Sequence, residues 1–214
     1  MSKKHPLLYE PTTTLTDYAI FLLGLYFSWK TYLVWESQGS LFHLLWGGSF
    51  LSVAISGFLG GTSHGFGPKF ESVIKKILWR LTLIFVGITG LLLAMSATTF
   101  FISESTQLAM FVTAGALLTV YFFRIKKDEA FRSAVTFYFP FVLFSLILFL
   151  IVFYNGRTGA LSIAIGLIVS LAAAGIQRSG LTLHQHFNHN DLYHVVQMLG
   201  MVLMFTGGLE IPPQ

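Results

Sequence analysis

Six stretches of this chain, residues 41–64, 81–103, 105–123, 133–156, 158–177 and 192–209, contain no lysine, arginine, aspartate or glutamate. A helix needs about 20 mostly apolar residues to cross the hydrocarbon core of a bilayer. Inside that core the backbone polar groups must be satisfied within the segment, which a helix does by itself. Runs this long and this numerous exceed what the core of a soluble protein takes up. Only 10% of the residues are charged, against about 25% in soluble domains. The chain therefore reads as all-α, a single integral membrane bundle over residues 1–214, with a further apolar stretch at its start. The expected spans are seven, roughly 16–35, 41–63, 79–102, 105–123, 133–154, 158–177 and 190–208. Lys30 lies near enough to the end of the first to snorkel to the interface.

The direction of the spans follows from the basic residues. Placing the N-terminus on one side puts Lys3, Lys4, Lys69, Lys75, Lys76, Arg80, Arg124, Lys126, Lys127, Arg132 and Arg178 there. That is eleven of the thirteen basic residues, and only Lys30 and Arg157 fall opposite. The positive-inside rule then makes the N-terminus cytoplasmic and the C-terminus external. Residues 1–14 lack an apolar run followed by a cleavage site, so no removable signal peptide is expected. The net charge of +4 sits in short clusters between apolar runs, which does not suggest nucleic acid. The expected partner is membrane lipid, and the expected location is a bacterial inner membrane. Glycines such as Gly87, Gly90, Gly159 and Gly166 are expected at close helix contacts.

The chain has no cysteine, so a metal would be held by histidine, carboxylate or backbone oxygen. Five of its seven histidines, His64, His184, His186, His189 and His194, fall at the cytoplasmic end of span two or around the start of span seven. His43 lies near the other end of span two, where a hydrogen bond across helices is the expected role. If span seven is helical from about Asn190, then Asn190 and Asp191 share a face with His194. His189 directly precedes that turn. Three imidazoles plus a water make an open zinc site, and His64, His189 and His194 are the candidate ligands. A haem held by His64 and His194 is the other cofactor these residues allow. Retinal is excluded, because spans two to seven offer no Schiff-base lysine. His184 and His186 are equally readable as solvated loop residues.

These two segments resemble the seven-helix superfamily of alkaline ceramidases and progestin and adipoQ receptors. That superfamily carries Ser-x-x-x-His late in span two, an Asp in span three and His-x-x-x-His early in span seven. His64 matches the span-two histidine and His194 the second histidine of span seven. Gly60 stands where the motif has Ser, Asn190 stands where it has its first His, and span three holds no acid. The run His189-Asn190-Asp191-Leu192-Tyr193-His194 is also similar to the closing motif of an uncharacterised bacterial seven-helix family. The resemblance implies a zinc-dependent hydrolase of a lipid amide or ester. Zinc would lower the pKa of its bound water, Asp191 would act as general base, and Ser63 or Tyr193 would stabilise the oxyanion. The alternative is a non-enzymatic membrane protein, a transporter, sensor or haem-binding bundle, built on the same histidines.

Overall fold

The computed structural model describes residues 6–184 and 186–212. Seven α-helices of 21 to 28 residues form among them: α1 Pro11–Gln38, α2 Leu41–Phe66, α3 Ser72–Thr98, α4 Glu104–Lys127, α5 Phe131–Tyr154, α6 Gly159–Ser179 and α7 His189–Glu210. Each covers an expected span, but the boundaries move. Helix α3 starts well before residue 79 and stops at Thr98, because its first turns carry Lys75 and Lys76 and run outside any charge-free stretch. The tail bearing His5, Lys3 and Lys4 lies outside the described residues, as does Gln214.

Six helices, α2 to α7, are long and apolar enough to cross a membrane. Helix α1 falls short in composition, because it carries Asp17, Lys30, Glu36 and a threonine-rich start. At about 1.5 Å rise per residue its 28 residues still match its neighbours in length, and it packs along α2 and α7. Its start is cut by Pro11 in the first turn, where the missing N–H costs nothing. Its end is cut by Gly39 at φ 69°, whose N–H bonds Trp35 O at 2.7 Å. That left-handed turn suits a residue with no Cβ.

Contacts run α1 to α2, α2 to α3, α3 to α5, α5 to α6, α6 to α7 and back to α1. These six helices close a ring. Helix α4 stands outside it, mainly against α3, and of its residues only Tyr121 and Ile125 are buried. Tyr121 is its anchor. Its hydroxyl donates to Leu83 O at 2.6 Å and its ring stacks on Phe137 at 4.0 Å. Gly87 makes room for it, since a Cβ there would lie 2.2 Å from the Tyr121 ring.

Small residues set the closest approach within the ring. A Cβ on Gly159 would lie 2.2 Å from Gly207 O, and one on Gly166 would lie 2.7 Å from Gly200 O. The backbones of α6 and α7 therefore touch, as small residues permit in membrane bundles, and Ser162 adds a hydrogen bond to Leu203 O at 2.8 Å. Gly90 meets the Tyr138 ring in the same way, whereas Gly175 faces open space.

The ring is filled unevenly. Towards the α1–α2 turn an aromatic core closes it: Phe27 stacks on Phe205 at 4.0 Å, and Phe42, Trp46 and Phe149 are fully buried. His43 belongs to this packing. Its ring meets Phe42 edge-on at 4.9 Å, and it makes no well-formed hydrogen bond among the described residues. The group it faces across helices is the Gly208 backbone of α7, on the side where the expected bond would lie. At the other end, where α2 finishes and α7 begins, the ring is hollow.

Candidate functional site

The hollow end holds a chamber of about 210 Å³ to which every helix of the ring contributes and α4 does not. His64 on α2 and His189 and His194 on α7 all line it. Three imidazoles that the sequence separates widely thus share one cavity. Asp17 on α1 lines it as well, and sequence reasoning missed that residue although it lies within the first expected span.

Asp17 and His194 form the centre. His194 Nε2 lies 3.3 Å from Asp17 Oδ1, and both residues are buried, 7% and 6% exposed. His194 Nδ1 meets Thr16 Oγ1 at 2.8 Å, so both ring nitrogens are engaged by α1. Asp17 Oδ2 is buried and has no hydrogen-bond partner. A buried polar atom left unpaired costs roughly 1–3 kcal/mol, so its retention here is informative. Gly60 faces it across α2: a Cβ there would lie 3.4 Å from both carboxyl oxygens.

The mouth of the chamber is shaped by the start of the described chain. His64 Nδ1 pairs with Glu10 Oε2 at 3.0 Å. Tyr9 N donates to Gly65 O at 3.2 Å, and Lys69 Nζ to Leu7 O at 2.7 Å. His184 and His186 lie on the exposed loop before α7, their rings 5.4 Å apart. Neither lines the chamber, in keeping with the solvated reading.

Asp191 does different work from a free base. It is 1% exposed, and Thr13 Oγ1 donates to its Oδ1 at 2.7 Å. Asn188 N donates to its Oδ2 at 2.7 Å, while the Asn188 side chain accepts from Asn190 N and Asp191 N. That is a capping box, in which both orphan ends of a helix start are satisfied reciprocally. Asp191 therefore starts α7 and ties it to α1. Ser63 has a buried, unpartnered Oγ but does not line the chamber. Tyr193 does line it, together with the smaller apolar pocket beyond.

A zinc ion needs at least three of these donors to converge. Among the described residues, no group of three or more histidine, aspartate or glutamate side chains is arranged to hold a metal. The donors stand instead as two separate pairs, His64 with Glu10 and His194 with Asp17. The described side chains as placed do not fit the metal that the superfamily resemblance implies.

No curated protein and no solved structure matches the chain, so nothing ties it further to ceramidases or to progestin and adipoQ receptors. Residues 12–212, which take in all seven helices but the first residue of α1, match one family model. The chain belongs to that family, the family of unknown function DUF6962.

Proposed function

We propose that this chain is a non-enzymatic seven-helix membrane protein that binds the polar head of an amphiphile in the chamber between α1, α2 and α7. Helix α1 joins the six apolar helices as a seventh span, and the chamber opens towards the cytoplasm, the side that eleven of the thirteen basic residues mark. The observation that carries this reading is Asp17 Oδ2, a buried oxygen without a partner inside a cavity. Buried polar groups are almost always hydrogen-bonded, so a cavity that keeps one unpaired is built to receive a donor.

The choice of an amphiphile rests on what adjoins the chamber. Val53, Val86, Phe131, Tyr193 and Gln197 line both the chamber and the apolar pocket beneath it. A ligand with its head at Asp17 would lay apolar atoms against Phe50, Leu93 and Met204, in keeping with ligand sites that are mostly apolar with a few placed polar groups. The far end of the ring is closed by the Phe27–Trp46–Phe205 core. A one-ended cavity suits a receptor or carrier better than a channel. Zinc hydrolysis of a lipid amide or ester loses support, because the donors it needs do not converge.

The test is to analyse the lipid retained by the full chain after purification in a mild detergent. Wild type should keep a defined amphiphile near one per chain, uncleaved, and Asp17→Leu should lose most of it. Retention of bulk lipid only, in both proteins, would contradict the reading. Steady conversion of the retained lipid to a free acid would replace it with the hydrolase.

A further inference from the structure

The walls of the chamber carry more information than its volume. Around it run five rings in sequence: His64, Trp79, Phe131, Tyr193 and His194. Successive centroids are 6.2, 6.4, 6.5 and 5.1 Å apart. All five residues line the chamber, and so does Asp17 with its unpartnered oxygen. Among the described residues, no lysine or arginine lines it.

The collar is held in place from outside. Trp79 Nε1 donates to Glu129 O at 2.8 Å, and the neighbouring Arg80 pairs with the Glu129 carboxylate at 2.6 Å. The indole is therefore fixed by the α4–α5 connection. His194 is fixed by Thr16 and Asp17, and His64 by Glu10. An aromatic collar with locked members is a preorganised surface, and preorganisation favours binding.

We infer that the head group held here is an alkylated ammonium, seated against Asp17 within the collar of Trp79, Phe131 and Tyr193. Two observations converge on that class. Aromatic faces attract a cation within about 6 Å of the ring centroid, and aromatic cages recognise quaternary ammonium ligands in this way. A carboxyl oxygen without a partner supplies the acceptor of charge. Methyl groups on the ammonium ask only for apolar contact, which the collar of rings offers. Metal cations fit worse, since rings are not ligands for them and no three-donor group is present among the described residues.

Gly60 completes the seat. A side chain at this position would reach the space beside both Asp17 oxygens, and its Cβ would make ordinary contacts at 3.4 and 3.5 Å with Asp17 and Thr82. Gly60→Ala is therefore expected to fold while filling that space.

The inference deepens the amphiphile-binding reading and rests on it for the membrane setting, yet it is tested by binding of the head group alone. The full chain in detergent is titrated by calorimetry with choline and with its neutral isostere 3,3-dimethylbutan-1-ol. Choline should bind saturably and the isostere about tenfold more weakly or worse. Trp79→Leu and Gly60→Ala should each weaken choline about tenfold, while Trp35→Phe, at the far end of α1, should leave it unchanged. Equal binding of the two probes, no binding of choline, or choline affinity unchanged in both Trp79→Leu and Gly60→Ala would overturn the inference. If choline fails while Asp17→Leu still sheds a retained amphiphile, only the ammonium assignment falls.

Discussion

His194→Ala should destabilise the chain by roughly 1–3 kcal/mol, the usual cost of leaving a buried polar group unpaired. The variant leaves Asp17 buried with neither carboxyl oxygen paired, since Oδ2 already has no partner and Oδ1 faces only His194. It also leaves Thr16 without the imidazole at 2.8 Å. At roughly 2–4 °C per kcal/mol for a chain of this size, the thermal midpoint in detergent should fall by about 5 °C. Replacing both members, Asp17→Leu with His194→Leu, should be milder than His194→Ala alone, because no unpaired polar group then stays buried. A His194→Ala protein melting like wild type would mean that the α1–α7 pair does not form.

The second large effect is all-or-none. A reporter fused before Met1 should be cytoplasmic, as should one inserted between Lys126 and Glu129, and one fused after Gln214 should be external. Seven spans require the two ends of the chain to lie on opposite sides, whereas six put them on the same side. Helix α1 decides between these counts, since it alone falls short of the apolarity of a span. Its burial against α2 and α7 is what supports its inclusion. An external reporter at the N-terminus, with the other two placed as expected, would exclude α1 from the membrane.

Much of the architecture was legible in the residues. Charge-free runs located the helices, because lipid excludes charge over the whole of a span. Membrane depth also brought His64, His189 and His194 together, as histidines at the same end of two spans must lie at one level. The position of α4 outside the ring was not legible, because surfaces facing lipid and surfaces facing protein are equally apolar. Only contacts such as Tyr121 on Gly87 distinguish them.

Asp17 was hidden for a different reason. It follows a run of threonines at the start of α1, where an acid reads as flanking sequence. Its burial depends on α1 closing the ring against α7, a contact between the two ends of the chain that no local pattern announces. Asp191 was legible, and so was its part in starting α7. Asn188 three residues before an acid is the signature of a helix start, and that spacing was available beside the histidine motif. The histidines themselves suggested a metal by type, but ligand type does not fix convergence. Placement in one chamber is a weaker condition than placement within one coordination sphere.

That distinction is the core of the account, and metal analysis of the purified protein tests it most directly. The full chain, purified in mild detergent from cells grown with ample zinc, is assayed for bound metals beside His64→Ala and His194→Ala. The account predicts metal well below one equivalent in wild type, with no further loss in either variant. Near one equivalent of zinc in wild type, lost in both variants, would contradict it and restore the hydrolase.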